Sequence, residues 1–242
     1  MNLAFTLLDW QASAPGLHQP ADWVRWAQQP AVIDSSQPLA KCSQLPMMAA
    51  RRLTAGSRAA VDCGLTLLRR SAVDALVFTS RHGELERNLR ILSALAQQQS
   101  VSPTDFAMSV HNAAVGSLTI AAQAPLVATS LAAGADSFQQ GMLEVAALHK
   151  AGYQQVLLVD FEGAIPDIYH AHLSDQALFA AYAVALLLAP GEQCQCRSQP
   201  DRGPRKASLP QSLLFLHAQL GRQAEFSLPG DRCLWQWQCR YD

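Results

Sequence analysis

The chain opens with an apolar run, Leu3 to Leu8, that reads as a first strand. A loop through Ala14-Pro15-Gly16 follows. Asp22 to Gln28 carries Trp23 and Trp26 three apart and predicts a short helix with an aromatic face. Residues 29 to 46 hold three prolines and read as a connection. Met47 to Arg70 places Leu53, Ala60, Gly64, Leu67 and Leu68 at helical spacing between two arginine pairs, so one long helix is expected, bent at Gly56. Val73 to Phe78 is a compact strand pattern. Gly83 to Gln98 carries Leu85, Leu89, Leu92, Leu95 and Ala96 on one helical stripe.

Ser102-Pro103-Thr104 breaks the chain before an expected strand at Phe106–Val110, and a helix opens at Asn112. A strand is expected at Leu126–Leu131, and a helix from Gly134 to about Ala151 with Phe138, Met142, Val145 and Leu148 inward. Gln155 to Phe161 and Ala177 to Leu188 read as buried strands. Residues 191 to 210 are polar, rich in proline and glycine, and read as an exposed linker. Ser212 to Gly221 reads as a short helix, and Cys233 to Cys239 alternates with period two as a half-buried strand. The alternation of strands and helices predicts an α/β fold, a mostly parallel sheet with helices on both faces. The boundaries expected are a main domain over 1–190, a linker over 191–210, and a C-terminal extension over 211–242 packed on the domain.

The 242 residues suffice for a sizeable core. Half of them are hydrophobic and 15% are charged, which points to extra buried surface such as a partner interface. A net charge of −1 argues against nucleic acid as the main ligand, because phosphate binding needs a basic excess. The N-terminus lacks a basic segment and does not read as a signal peptide. The longest apolar run, Ala177 to Pro190, is too short for a membrane span of about 20 residues. The six cysteines show no scaffold spacing, so a reduced, cytoplasmic setting is the expectation.

The densest chemical signal is His111-Asn112-Ala113-Ala114-Val115-Gly116, followed by Ala128-Thr129-Ser130-Leu131-Ala132-Ala133-Gly134. These segments resemble the active-site neighbourhood of the β-ketoacyl synthases. In that family an Asn-x-x-Ala-Gly helix precedes a strand ending in Thr-Ala-Cys-x-Ser-Gly, whose cysteine attacks an acyl thioester. Matching Gly134 to the family glycine puts Leu131 at the nucleophile's place. The resemblance runs from about residue 47 to 165, through seven local words in family order. The family's two catalytic-histidine words do not occur, and His217 matches neither. The resemblance therefore implies half of a thiolase-like fold with the C-terminal half truncated and no catalytic residue. Among relatives the chain most resembles the short chain-length-factor-like subunits of aryl polyene synthases, within fatty-acid and polyketide-like systems.

That resemblance carries further expectations. The partner would be a catalytic β-ketoacyl-ACP synthase in a heterodimer, with acyl carrier protein reached through the complex. The helix from His111 to Gln123 would wall an elongation tunnel, with His111, Asn112, Ala114, Val115, Gly116, Leu118 and Thr119 at the tunnel or interface. Val115, Leu118 and Thr119 would supply graded bulk. Arg51, Arg52 and Arg58 are candidates for carrier-protein docking, or else one solvated helix face. Two other readings stand beside this one: a diverged acyltransferase or decarboxylase of the same superfamily, and a purely structural partner subunit.

Other chemistry is weakly signalled. Cys194 and Cys196 with Cys233 and Cys239 have a one-residue gap unlike zinc-ligand spacing, and Asp167, His170 and His172 lie in a loop. Glu84 and Glu86 fit a helix start electrostatically. Lys206, Arg202 and Arg205 read as loop residues. No metal or cofactor is expected, and no glycine-rich phosphate loop or nucleophile elbow is present.

Overall fold

A computed structural model describes residues 2–173, 178–201 and 207–241. Its elements follow in chain order. β1 (Asn2–Ser13), α1 (Pro20–Trp26), α2 (Met47–Ala50) and α3 (Ala55–Leu68) lead to β2 (Ala75–Thr79). Next come α4 (Leu85–Ala96), α5 (Pro103–Ala107), α6 (Ala113–Ala122), β3 (Val127–Leu131) and α7 (Ser137–Lys150). The remainder is β4 (Val156–Glu162), β5 (Tyr182–Pro200), α8 (Gln211–Leu220), β6 (Glu225–Pro229) and β7 (Cys233–Cys239).

The described strands form one mixed sheet in the order β3-β2-β4-β5-β7-β6, with β1 also paired to β5. Parallel pairing is confined to β3-β2-β4, and every pairing from β5 onward is antiparallel. β5 is long enough to serve three partners. Its first half lies beside β4, its second half beside β7, and β1 runs along both.

Side-chain alternation divides the sheet between two cores. On one face Ala75, Val77, Leu158, Val184 and Leu186 pack with Phe138 and Met142 of α7, Phe215 of α8 and the tryptophans of α1. On the other, Leu76, Phe78, Leu157, Val159 and Ala185 pack with Ala60, Val61 and Leu65 of α3 and Leu118 of α6. Close approach there needs Gly64, since a Cβ would collide with Leu118.

Four expectations are corrected. The helix expected over 47–70 is two helices, α2 and α3, parted by a turn before Gly56. A Cβ at Gly56 would collide with the Glu162 carbonyl, so the glycine admits β4 rather than a bend. The strand expected at Phe106–Val110 is absent, and α5 occupies Pro103–Ala107. Ser102 caps it by accepting from the Asp105 amide at 3.3 Å, with proline and an acid in the first turn. The linker expected from 191 is strand up to Pro200, because Cys194 and Cys196 face inward while their neighbours face out. The cysteines are not all independent thiols. Register sets Cys194 opposite Cys239, Cα atoms 4.2 Å apart, and the two form a disulfide. Cys42, Cys63, Cys196 and Cys233 are free.

The extension over 211–241 joins the same sheet and core, with Trp235 and Trp237 buried. Residue Ala177 and the basic group at 202, 205 and 206 lie outside the described residues. Among the described residues no helix is long and apolar enough to cross a membrane.

Candidate functional site

The parallel strands β3, β2 and β4 bring their C-terminal ends to one edge of the sheet, and the candidate site lies there. Leu131, the last residue of β3, pairs in register with Thr79 of β2. Its side chain lines a cleft of about 690 Å³ with Arg81, Asp136, Gln140, Leu143 and Glu144. Thr129, two residues earlier, faces the same helix and donates to Glu144 at 3.1 Å. Gly134 follows with φ +59°, a left-handed conformation that favours glycine. Ser137 Oγ accepts from the Ala133 amide at 3.0 Å and donates to the Gly134 carbonyl at 2.8 Å, so this hydroxyl is occupied in closing the turn.

Ser130 points to the opposite face. His111 Nε2 lies 3.0 Å from the Ser80 carbonyl, and a carbonyl only accepts, so Nε2 carries the proton. Nδ1, 2.9 Å from Ser130 Oγ, then accepts from the serine hydroxyl, whose single proton is shared with the His111 carbonyl, to which Oγ donates at 3.1 Å. This histidine thus bridges the ends of β2 and β3. Alternation along β3 separates the serine–histidine pair from the Leu131 cleft.

Two buried carboxylates stand near the C-terminal end of β4, beside β2. Asp160 accepts from Thr79 of β2 and Ser212 of α8 at 2.5 Å each, and from Tyr182 of β5 at 3.2 Å. Burial pushes its pKa up to about 6 despite these three donors. Glu162 accepts from Ser80 Oγ at 2.8 Å and from the backbone amides of Arg81 and His82. Burial, with the nearby Asp160 charge adding to it, pushes Glu162 up to about 8. Sequence reasoning passed over both carboxylates, although acids inside the apolar run from Val156 to Glu162 were a visible anomaly.

The described C-terminal residues reach this edge too. Asp136 accepts from Gln211 Nε2 at 2.9 Å, Trp235 Nε1 at 3.0 Å and the Asp231 amide at 3.1 Å. The β6–β7 turn thereby becomes part of the cleft wall, with Asp231 lining it.

Helix α6 divides the expected tunnel residues. Ala114, Val115 and Leu118 are buried in the chain's own core beside α3. The outward stripe is Asn112, Gly116, Thr119 and Ile120, with Ile120 79% exposed and open space where a Gly116 side chain would lie. The helix is apolar on nearly every side, yet one face has no cover from this chain.

α4 repeats this arrangement in stronger form. Its one buried side chain is Arg87, while Leu92 and Leu95 lie exposed. Arg87 bonds Glu84 at 3.2 Å, Asp105 of α5 at 2.7 Å and the Arg52 carbonyl at 2.8 Å. Glu84 in turn accepts from Thr54 at 3.3 Å and from Ser57. A buried ion cluster thus roots the α4–α5 hairpin, whose exposed apolar side chains include Phe106 and neighbouring Val110. The β3 edge, with Val127 exposed, has β2 as its one partner among the described residues.

Arg51 and Arg52 are exposed beside the exposed Met47 and Met48, and Arg58 is half-buried. His170 contacts Asp167 at 3.7 Å and bonds the Ile165 carbonyl at 2.8 Å. No group of three metal-ligating side chains occurs among the described residues.

A family model for the β-ketoacyl synthase N-terminal domain matches residues 23–238. No curated protein matches. Among solved structures, a chain in the complex of a ketosynthase with its chain length factor from Xenorhabdus doucetiae is 56% identical. The alignment covers 98% of this chain and 99% of that one, with a TM-score of 0.94. The ishigamide ketosynthase/chain length factor is 14% identical over 83% of this chain and 68% of that one, with a TM-score of 0.64. A type II polyketide synthase acyl-carrier protein in complex with its ketosynthase, bound to the hexaketide, gives 8% identity, coverages of 99% and 100%, and a TM-score of 0.70. The last two show likeness of fold alone. The matched model spans most of the sequence, and the chain belongs to the β-ketoacyl synthase N-terminal domain family.

Proposed function

We propose that the chain is a catalytically inactive chain-length-factor-type subunit. It pairs with an active β-ketoacyl-ACP synthase and bounds the tunnel in which an acyl or polyene chain grows. The observation that carries the reading is Leu131. A side chain without a lone pair stands at the end of β3 where the resemblance places the nucleophile, and it cannot form an acyl thioester. The full-length likeness to a chain of a ketosynthase–chain length factor complex supports the pairing.

The uncovered apolar side chains of α4, α5, α6 and β3 supply the surface. Monomeric proteins rarely leave large contiguous apolar patches to water, and obligate pairs bury roughly 2,000 Å² or more. On this reading Gly116, Thr119 and Ile120 face the growing chain or the partner, and Val115 and Leu118 hold the helix in place behind them. Arg51, Arg52 and Arg58 offer positive charge to an acidic carrier protein, with Met47 and Met48 beside them. Action on elongation is by contact and shape.

The test is reconstitution with a catalytic ketosynthase and acyl carrier protein. A stable heterodimer is expected, with Gly116→Leu shifting product length. A chain that stays monomeric with every ketosynthase tried contradicts the reading.

The Ser130–His111 bond favours a second reading, a diverged acyl-thioester enzyme, because nucleophile and base at 2.9 Å is the geometry of acyl transfer. Turnover of acyl or malonyl thioesters by the purified chain, lost in Ser130→Ala, would establish it.

A further inference from the structure

The Glu162 carboxylate sits at the root of the α4–α5 hairpin, with 3% exposure, and accepts from three successive residues of the β2–α4 connection. Ser80 Oγ, which donates to Glu162, also accepts from the Gly83 amide at 2.8 Å. One carboxylate therefore organises the whole turn from Ser80 to Gly83, and Glu84 begins the buried ion cluster immediately after it.

We propose that Glu162 is a protonation-dependent latch on the Ser80–Gly83 turn, and through that turn on the exposed α4–α5 hairpin. The ionised carboxylate offers acceptors to all three donors. Ser80 and Arg81 donate to Oε1, and the His82 amide is shared between Oε1 at 3.2 Å and Oε2 at 3.3 Å. A proton on Oε2 turns that oxygen into a donor and leaves all three turn donors to the two lone pairs of Oε1, so the His82 bond is the first to weaken. That the hairpin faces a partner rests on the function proposed above. The latch itself does not.

The surrounding groups set where the switch lies. Asp160, two residues earlier on β4, carries the nearest like charge and opposes ionisation. Tyr182 is the register partner on β5 and is bonded to Asp160. From α3 the neighbour is backbone at Gly56. Arg81 and His82 meet Glu162 through their amides. Glu84 is engaged by Ser57 and Arg87, and His111 reaches the turn through the Ser80 carbonyl. Burial outweighs the three donors, and the group titrates near 8, within reach of neutral conditions.

The test is a pH titration of amide resonances in the isolated chain from acid to mildly alkaline conditions. The Arg81 and His82 amides should shift together with one midpoint near 8, and Glu162→Gln should abolish that shift. Ser80→Ala removes a donor to the ionised form and should move the midpoint upward, which serves if the glutamine variant does not fold. Stationary wild-type amides, or a titration that survives in Glu162→Gln, overturn the latch. A second arm measures affinity for a catalytic ketosynthase across the same range. Affinity that follows the amide midpoint supports the link to the partner face, and flat affinity beside titrating amides overturns that link. Absence of any binding contradicts the proposed function while leaving the amide result intact.

Discussion

Trp235 Nε1 donates to Asp136 Oδ1 at 3.0 Å, and this bond ties β7 to the turn that follows Leu131. The two residues lie 99 positions apart in sequence. Gly230 leaves the room for it, because a Cβ there would stand 2.5 Å from Asp136 Oδ1 and 2.8 Å from the indole nitrogen. The C-terminal strands are thus part of the site's framework.

Replacing Asp136 by alanine strands the donors of Gln211, Trp235 and Asp231. Loss of a part-buried charged acceptor should cost about 2–3 kcal/mol. Urea unfolding of the variant should show that loss as a lowered midpoint with an unchanged slope. A midpoint equal to wild type would mean that solvent already satisfies these donors.

Leu118 and Gly116 lie two positions apart on α6 and should behave oppositely. Leu118→Ala empties a fully buried site against Gly64 and should cost about 2–5 kcal/mol in unfolding experiments. Gly116→Leu meets open space in the isolated chain and should leave the fold intact. In the reconstituted complex it should shorten the products, read by mass spectrometry. Products of unchanged length would remove Gly116 from the tunnel wall.

The apolar face should matter for pairing and not for folding. Phe106→Asp and Ile120→Asp place charges on side chains 70% and 79% exposed, so thermal unfolding of the chain alone should stay close to wild type. Affinity for the ketosynthase should fall by at least about 2 kcal/mol if these are anchor residues. Wild-type affinity in calorimetry would move the interface elsewhere.

The two raised carboxylates give stability a defined pH dependence. Each has a folded pKa above its ordinary value, so its stabilising contribution is complete below the ordinary value and is lost as pH rises through the folded one. The window runs from 3.8 to about 6 for Asp160, and from 4.5 to about 8 for Glu162. Unfolding temperature should therefore decline across these windows, and the Asp160→Asn, Glu162→Gln double variant should flatten the decline. A wild-type profile that rises across both windows would contradict the burial of these charges.

Much of the framework was legible because apolar period reports burial directly. β7 begins and ends where the Cys233–Cys239 alternation does, while β2 (Ala75–Thr79) and β4 (Val156–Glu162) overlap the expected runs Val73–Phe78 and Gln155–Phe161 and each ends one polar residue later. α5 was missed because its signal is a cap, Ser102-Pro103 with Asp105, and hydrophobic period says little about a five-residue helix. The second half of β5 was hidden by its polar outer face, although Cys194 and Cys196 already alternated with polar neighbours. At the site, the family resemblance singled out Leu131 and α6, and hydrophobic spacing added only that α6 is a helix. It did not tell the inward side of α6 from the outward side, because the helix is apolar on both. Nor does local pattern reveal contacts made across long stretches of chain, such as His111 to Ser80 or Asp136 to Trp235.

Intact-mass analysis of the reconstituted complex, quenched after mixing with acylated carrier protein, tests the central claim most directly. The account predicts the acyl mass on the ketosynthase partner and none on this chain. An acyl adduct on this chain, at Ser130 or any other side chain, would contradict it.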